Sequence, residues 1–424
     1  MTPRPTSLEP SHARYNVVLL TFLASLMMYA GRACLATATP AIMKDFGLSK
    51  TMMGWSVSAF LWSYALFQIP AGWLTDRFGP RRVLGGALAW WSLFTAATGL
   101  SFGAVSLAAT RGLLGVGESA AFPGGSRALL KWLPVRQRAI GQGIQHAGSR
   151  FGAAITPPIV VYLLTIMHWP LVFNLFGAAG IIMAVIWYSY YRDSPADHSG
   201  VNSGELELIG LGAPRPAAAA RRSVPWRKIL RSRDLRYLSA AYFCYAWVLY
   251  VYLQWVPTYL MEARGYTQLK MGLAASFPLL AATAANVLGG WISDHVAHRT
   301  GNLRHARVIV AVAGFCIACV CLVAGVLAPR AAVSLAWLTA ALAGNELTVA
   351  VSWAICLDVG SDFSGSVSSV MNMTGNIGGA ISTVAGGYLA TYFGWNSPFL
   401  VASGLCIFAA FAISRVDPRR SAVE

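Results

Sequence analysis

One positive charge lies deep within the first apolar stretch of the chain. Arg32 falls inside residues 15–39, a segment long enough to span the hydrocarbon core of a bilayer. A guanidinium at that depth costs roughly 2.5–3.5 kcal/mol on insertion scales. A chain can keep such a charge because it binds an anion in a protein-lined cavity, or because it forms a structural ion pair with a neighbouring span. We expect the first of these roles for Arg32.

Two further charges, Arg111 and Glu118, share a later apolar stretch and are seven residues apart. That spacing places both side chains on one face of a helix. At a rise of 1.5 Å per residue, Glu118 lies on the order of 20 Å from the outer end of its segment. A carboxyl group at that depth can bind and release a proton, and a nearby cation sets how tightly the proton is held.

Composition indicates the elements that must position these charges. The 424 residues are 56% hydrophobic and only 11% charged, whereas soluble domains carry about 25% charged residues, so we expect an integral membrane protein. Hydropathy predicts twelve spans, and all should be helices because a sheet edge cannot be satisfied in lipid. Their approximate limits are 15–39, 52–73, 82–101, 105–128, 139–164, 170–191, 235–261, 270–294, 305–328, 332–357, 365–390 and 395–415.

Most of the net charge of +16 belongs to one set of loops. The segments on the same side as the two termini carry 23 Lys and Arg residues, and those on the other side carry 5. Because cytoplasmic loops of membrane proteins are enriched in Lys and Arg, we predict cytoplasmic termini in a cell inner membrane. This distribution accounts for the basic charge without a nucleic-acid partner.

The chain divides into two six-span halves, residues 1–191 and 235–424, joined by a polar cytoplasmic linker at 192–234. Residues 226–230 of the linker are amphipathic and are expected to lie on the anionic inner leaflet. The halves repeat, because Gly72 and Asp76 recur 218 residues later as Gly290 and Asp294. Internal repeats of this kind are typical of secondary transporters, which rock around a site near the bilayer midplane.

The loop between the second and third spans resembles the loop motif of the major facilitator superfamily. Asp76 can cap a helix end and pair with basic groups of a neighbouring span, so that breaking the contact opens an inward gate. A simple turn between helices would explain the glycines but not the repeated aspartate. The motif residues are Gly72, Asp76, Arg77, Gly79, Arg81 and Arg82, and a weaker second copy contains Asp294 and Arg299.

A wider set of residues, covering nearly the whole chain, resembles the anion:cation symporter branch of that superfamily. The resemblance implies a fold of twelve transmembrane helices in two pseudo-symmetric halves. It also implies carriage of an organic anion such as a carboxylate or sugar acid, often together with protons. The residues that carry it are Tyr29, Arg32, Tyr64, Arg111, Glu118, Trp132, Pro134, Arg138, Ala139, Gly375, Asn376, Gly378 and Gly379.

The resemblance also assigns roles within the first half. Arg32 would bind the substrate carboxylate, and Tyr29 and Tyr64 would bind its hydroxyls or the same carboxylate. Glu118 would be the group that takes up a proton, with Arg111 as its regulating partner. The placement of Arg111 and Glu118 on one helix face is consistent with that pairing.

Three residues of the second half, Trp353, Asn372 and Asn376, are expected to complete the pocket by the same resemblance. Each has a plain alternative. A Trp in a span often packs or anchors at the interface, and an Asn can simply bridge two helices.

The chain departs from the branch at two places. Gly31 stands where an aspartate often precedes the first-span arginine, so one expected proton carrier is absent and Glu118 is the best remaining one in the first half. Ser149 stands where many sugar-acid carriers have glutamine, and Arg150 follows it. Arg150 could be a second anion contact or could pair with Glu118. Glu346, deep in the tenth span, could be a substitute proton site or a partner for a hydroxyl or an arginine.

These features favour proton-coupled uptake of a small organic anion by alternating access, carried out by a functional monomer. Uncoupled or exchange transport of a carboxylate is the alternative within transport. A sensor that binds a ligand without moving it is a further alternative, but a sensor need not alternate, and the loop motif occurs in both halves. We expect no catalytic set, no metal and no cofactor, and hence no enzyme.

Overall fold

The computed structural model describes residues 9–48, 50–210 and 224–422, and every regular element within these ranges is helical. Lipid leaves no water to satisfy the backbone, so a spanning segment satisfies its own polar groups as a helix. The described residues form fifteen α-helices. Their bounds are α1 Ala13–Phe46, α2 Lys50–Phe78, α3 Pro80–Thr98, α4 Ala104–Glu118, α5 Ala121–Trp132, α6 Arg138–Ile166, α7 Trp169–Tyr190, α8 Ser203–Ile209, α9 Trp226–Arg231, α10 Arg233–Glu262, α11 Gln268–Thr300, α12 Leu303–Leu327, α13 Ala331–Gly360, α14 Ser364–Phe393 and α15 Ser397–Ser414.

The predicted all-helical, twelve-span fold is confirmed, with the fourth span divided into α4 and α5 directly after Glu118. Pro123 lies in the first turn of α5 and cannot donate to the carbonyl of residue 119, which weakens the helix at the division. Seven stretches of the described residues are long and apolar enough to cross a membrane by length and composition alone, and one of them covers both α13 and α14. The remaining spans fall short of those criteria, because hydropathy alone underrates helices that are divided or carry polar side chains.

The spanning helices form two groups, which we call the first group (α1–α7) and the second group (α10–α15). Within the first group α1 packs along α6 and α3 along α7, and within the second group α10 packs along α14 and α12 along α13. Between the groups, α2 packs against α14 and α6 against α11. These two crossings exchange under the repeat seen in the sequence, since α2 corresponds to α11 and α6 to α14.

The first and last described residues, Glu9 and Ala422, lie on one face of the helix bundle, which we call the terminal face. The described part of the predicted linker contributes a clasp there. The carboxylate of Glu205 on α8 accepts hydrogen bonds from the backbone N–H groups of Ala13 and Arg14, at 3.0 and 2.9 Å, and from the Ser11 hydroxyl. The Arg14 guanidinium also pairs with Glu205 at 3.1 Å. Glu205 therefore caps the N-terminus of α1 from 191 residues away.

The hydrogen bonds of the clasp change the pKa of Glu205. Burial tends to raise the pKa of Glu205, but the hydrogen bonds from Ser11, Arg14 and Ala13 outweigh it, so its pKa lies below the ordinary value. Residues 211–223 of the linker, with the alanine run and the first part of the basic stretch, lie outside the described residues.

Candidate functional site

Arg32 and Glu118 form a buried ion pair between α1 and α4. Arg32 Nε donates a hydrogen bond to Glu118 Oε2 at 2.7 Å, and Nη2 lies 2.7 Å from the same oxygen. The guanidinium carbon is also 4.7–4.8 Å from the ring centroids of Tyr29, Phe60 and Tyr64. The Glu118 side chain is only 1% exposed, whereas 19% of the Arg32 side chain remains accessible. Arg32 is thus the more exposed member of the pair, although its Nη2 atom is buried.

Arg111 is a second cation beside this pair. Its side chain is buried, and its Nε and Nη1 atoms have no hydrogen-bond partner among the residues that the structure describes. Its guanidinium carbon lies 5.3 Å from the Phe60 ring that also contacts Arg32, and it interacts electrostatically with Glu118. The structure therefore brings Arg111 close to the acid, while the ion pair of that acid is made by Arg32.

Arg150 and Glu346 form a second buried ion pair, and this one joins the two groups. Arg150 on α6 donates from Nε and Nη2 to Glu346 Oε1 on α13, at 3.1 and 3.0 Å. Its Nη2 also donates to the Tyr245 hydroxyl at 2.7 Å, and its Nη1 to the Ser149 hydroxyl at 3.3 Å. Asn286 on α11 donates to the second Glu346 oxygen at 2.9 Å. Of the roles left open for Glu346, the structure shows a partner for an arginine and a hydroxyl.

Tyr29 lies between the two ion pairs. Its ring centroid is 4.7 Å from the guanidinium carbon of Arg32 and 5.6 Å from that of Arg150. Its hydroxyl has no hydrogen-bond partner within the described ranges, so it is available to a ligand. Arg150, which the sequence allowed to pair with Glu118, pairs elsewhere in this state.

Tyr250 on α10 lies near the predicted site residues and was not singled out from the sequence. It interacts electrostatically with Tyr29, Tyr64, Arg32 and Arg150. A tyrosine within a span usually packs or anchors at the interface, which gave no reason to select it. The repeat offers a signal, since the offset of 218 residues applied to Arg32 gives position 250.

Asn372 lies on α14 beside Tyr64, one of the aromatic residues around Arg32, and Asn376 lies one turn further along the same helix. Asn372 Nδ2 donates to Gln68 Oε1 on α2 at 2.9 Å and lies 3.5 Å from the Tyr64 hydroxyl oxygen. Asn376 Nδ2 donates to the backbone oxygen of Asn372 at 2.9 Å. Asn372 therefore bridges the two groups at the level of the ion pairs, as one of its alternatives required.

Trp353 on α13 is fully buried within a cluster of rings. Its indole N–H donates to the Tyr242 hydroxyl at 2.9 Å, and its ring centroid lies 5.0 Å from that of His146 and 5.5 Å from that of Phe122. In this state Trp353 forms part of the packed wall, and its contact with a substrate stays a prediction.

Asp76 caps a helix of the opposite group at the terminal face. Its Oδ1 accepts from Gly365 N at 2.9 Å and its Oδ2 from Ser366 N at 2.6 Å, so the carboxylate of α2 sits at the N-terminus of α14. Arg127 Nε lies 3.6 Å from Asp76 Oδ1, and Arg127 Nη1 donates to Ser361 O at 2.6 Å. A negative charge at a helix N-terminus satisfies its free N–H groups and complements its dipole. The cap therefore ties α2 and α14 together.

Asp294 makes the pseudo-symmetric cap. Its oxygens accept from Ala139 N at 3.4 Å and from Ile140 N at 2.8 Å, at the N-terminus of α6. Its ion-pair partner is Arg307 on α12, at 2.7 Å, and not Arg299 of the predicted second motif copy, which is exposed. The packing of α11 against α12 therefore decides which arginine pairs with Asp294.

A further acid that the sequence did not single out completes this network. Asp358 at the end of α13 pairs with Arg307 Nε and with Arg138 Nη1, both at 3.2 Å. Arg138 belongs to α6, so this contact also crosses between the groups. Nothing in the sequence links positions 138 and 358, because their pairing depends on how the two groups pack.

Two motif glycines allow the groups to touch backbone to backbone. A Cβ on Gly72 would lie 2.5 Å from the carbonyl oxygen of Gly365, and one on Gly290 would overlap the carbonyl oxygen of Ala139. Such contacts are far inside van der Waals distance, so only glycine fits in the closed arrangement.

The other motif residues act within the first group. Gly79 has a φ of +83° and starts α3, a conformation that favours glycine. Arg77 stacks near the rings of Trp73 and Phe78, Arg81 Nε donates to Tyr188 O at 3.1 Å, and Arg82 is exposed. The aspartate and the first glycine thus make the contacts between groups.

Among the residues that the structure describes, the polar contacts between the groups lie between the level of the central ion pairs and the terminal face. Towards the opposite face, the first group has a separate apolar core, built from residues such as Leu35, Ile42, Leu107 and Phe173 and containing no residue of the second group. This arrangement describes a bundle closed at the terminal face.

The chain is similar to known proteins over most of its length. The profile of the Major Facilitator Superfamily matches residues 21–383. A protein named probable sulfoacetate transporter, from Cupriavidus necator, is 34% identical over 406 residues, covering 96% of this chain and 94% of its own. The probable galactarate/D-glucarate transporter of Escherichia coli is 33% identical over 396 residues, covering 89% and 87%. A solved proton:xylose symporter superposes with a TM-score of 0.76 over 95% of each chain at 13% identity, which speaks to the fold alone.

Proposed function

The chain belongs to the Major Facilitator Superfamily, and from that premise we propose that it carries a small organic anion across the cell inner membrane. The proposal rests above all on Arg32, an accessible cation whose only carboxylate partner among the described residues is buried beneath it. The names of the two relatives, for sulfoacetate and for galactarate or glucarate, support an anionic substrate with at least one carboxylate.

The charge of the site supports an anion as well. Arg32, Arg111 and Arg150 face two acids, Glu118 and Glu346, so the central cluster carries one positive charge in excess when both acids are ionised. An uncompensated buried charge is costly, and an anionic ligand would compensate it. The planar fork of Arg32 fits a carboxylate in a bidentate pair, and the free hydroxyl of Tyr29 lies beside it.

Proton coupling follows from competition for Arg32. A substrate carboxylate that takes the Arg32 fork displaces Glu118, which then lies buried without its ion pair. Uptake of a proton by Glu118 removes that charge, so proton and substrate favour the same state. Gly31 leaves no acid beside Arg32 to compete for this role, while Glu346 is held by Arg150, Tyr245 and Asn286.

Movement is proposed as alternating access of two halves, residues 1–191 and 235–424, around this centre, with one chain sufficient for the cycle. The terminal face is the cytoplasmic one, by the distribution of Lys and Arg. In this state Asp76 of α2 caps α14 and Asp294 of α11 caps α6, and these two caps between the groups hold that face closed. Loading the site would favour release of the caps and opening towards the cytoplasm.

The test is uptake into proteoliposomes of sulfoacetate and of D-glucarate, with and without a pH step and a membrane potential. Wild type should accumulate at least one of them when the outside is acidic. Glu118→Gln should lose the response to the pH step but keep counterflow, which needs only alternation with substrate bound. Glu346→Gln is the matched control and should keep the response.

Three results would change the proposal. If Glu118→Gln still accumulates substrate on a pH step, Glu118 is not the coupling group. If wild type ignores the gradient but exchanges substrate, the chain is an exchanger. If no carboxylate is moved or bound, transport of an organic anion is wrong.

A further inference from the structure

A basic pocket opens on the terminal face, away from the central site. It has a volume of about 370 Å³ and lies between α9, the start of α10 and the C-terminal residues that follow α15. We propose that this pocket binds the phosphate headgroup of an anionic phospholipid in the adjacent leaflet. Its charged lining residues are Arg227, Lys228, Arg231, Arg233, Asp234 and Arg420.

The charge of the pocket is strongly unbalanced. Its lining has five cationic side chains and a single acid, Asp234, whose Oδ1 already accepts from the backbone N–H of Asp417 at 2.8 Å. Arg227, Arg231 and Arg233 are exposed and form no ion pair within the described part of the chain. Several guanidinium groups around one concavity match the oxygens of a phosphate, each in a bidentate fork.

The C-terminal residues are fixed in place as one wall. Ala422 N donates to Val359 O at 2.9 Å, which ties the tail to the end of α13, and Asp417 N holds it to α10. The Asp417 carboxylate pairs closely with Arg419, at 2.8 Å, whereas Arg420 Nε is 3.9 Å away. The pKa of Asp417 is lowered to about 2 by the hydrogen bond from Arg419, so that pairing persists at neutral pH. Arg420 is left as the more weakly paired arginine beside the pocket.

The position of α9 points to a lipid as the source of the phosphate. Ile229 is fully buried and fixes α9 to the protein, while the neighbouring Leu230 is 53% exposed. Only Ser232 separates α9 from the spanning helix α10. A headgroup in the pocket would therefore leave its acyl chains beside α10 and Leu230, as expected for an interfacial amphipathic segment. A free phosphate ion would make no use of Leu230.

The experiment compares lipid retention by the full chain. Purified protein in mild detergent is mixed with dioleoylphosphatidylglycerol or with dioleoylphosphatidylcholine, and bound lipid is counted by native mass spectrometry. We expect one phosphatidylglycerol retained at low lipid concentration and no phosphatidylcholine. Arg231→Gln/Arg420→Gln should weaken retention about tenfold or more. Arg136→Gln/Arg299→Gln removes two exposed arginines elsewhere and should leave it unchanged.

Each remaining outcome counts against the proposal. Equal retention by the two double variants would show that the pocket is not the site. Equal retention of both lipids would show that the headgroup charge is not recognised. Full competition by millimolar inorganic phosphate would assign the pocket to the soluble ion and not to the lipid. If Arg231→Gln/Arg420→Gln does not purify as a folded species, Arg227→Gln replaces it, with Arg136→Gln as its control.

Discussion

Removal of the Arg32 guanidinium tests the central ion pair and the anion site together. In Arg32→Ala, Glu118 keeps its burial, at 1% exposure, but loses the only ion pair seen for it in the described residues. Breaking a buried pair by deleting one partner typically costs about 3–5 kcal/mol, because it leaves an uncompensated charge. Loss of the contacts with three aromatic rings adds to this cost. If Glu118 can turn to Arg111, the measured cost falls below that range.

A double-mutant cycle of Arg32 and Glu118 measures what the pair contributes to stability, and ligand-induced stabilisation measures binding. At about 2 °C per kcal/mol, Arg32→Ala should lower the melting temperature in detergent by on the order of 5–10 °C. Arg32→Ala/Glu118→Gln removes the unpaired carboxylate but leaves Arg111 without its nearby acid, so it should recover part of that loss. Neither variant should show a ligand-induced rise in melting temperature with a carboxylate that stabilises wild type. Arg32→Lys keeps the charge for Glu118 but lacks the planar fork, so it should be stable and still fail to bind.

Two outcomes would refute this reasoning. Strict additivity in the cycle would mean that the Arg32–Glu118 pair contributes nothing to stability, and the geometry proposed for the site would lose its basis. Normal ligand binding by Arg32→Ala or Arg32→Lys would show that the anion is held elsewhere.

Further predictions concern the terminal face. Asp76→Asn removes a negative charge from the N-terminus of α14 and should cost the closed arrangement about 1–2 kcal/mol of stability. The equilibrium should then shift roughly five- to thirty-fold towards an open terminal face, measured as faster thiol modification of Ser369→Cys. Asp294→Asn should have the same effect. The lowered pKa of Glu205 means that its clasp contributes stability above the ordinary pKa of about 4.3 and loses it as pH falls through the folded value. The protection of the α8 amides, measured relative to their intrinsic exchange rate at each pH, should therefore fall in acid for wild type and show no such pH step in Glu205→Gln. A cysteine at Ser203, which is exposed on the linker, should react with an impermeant reagent in inverted vesicles and stay unlabelled in intact cells.

The sequence predicted the parts of this protein that depend on local chemistry. Apolar length and the absence of a satisfiable sheet edge in lipid gave the helices, and the repeat gave two corresponding sets of spans. The cap made by Asp76 could be expected because an acid followed by a glycine and several arginines fits a helix end. That the capped helix is α14 depends on how the two groups pack, and no local rule gives it.

The partners of the buried charges could not be predicted. Arg32 and Glu118 are 86 residues apart, and Arg150 and Glu346 are 196 apart. In each case several opposite charges were available at similar depth, and only the rotation of the helices decides which two meet. The same limit explains why Arg307 was not predicted as the partner of Asp294. The transport roles of these residues stay predictions.

The two glycine contacts at the terminal face make the closed arrangement sensitive to the addition of a single methyl group. At Gly72 and Gly290 the closed bundle has no room for one more carbon atom. In the alternating-access cycle proposed above, a methyl group there would cost little once the halves have separated. We expect an alanine at either position to destabilise the closed arrangement and favour the one open at the terminal face, without changing the central site or any charged residue. Such a variant would be purified mainly in the open arrangement, for structure determination or for selecting antibodies that recognise only that arrangement.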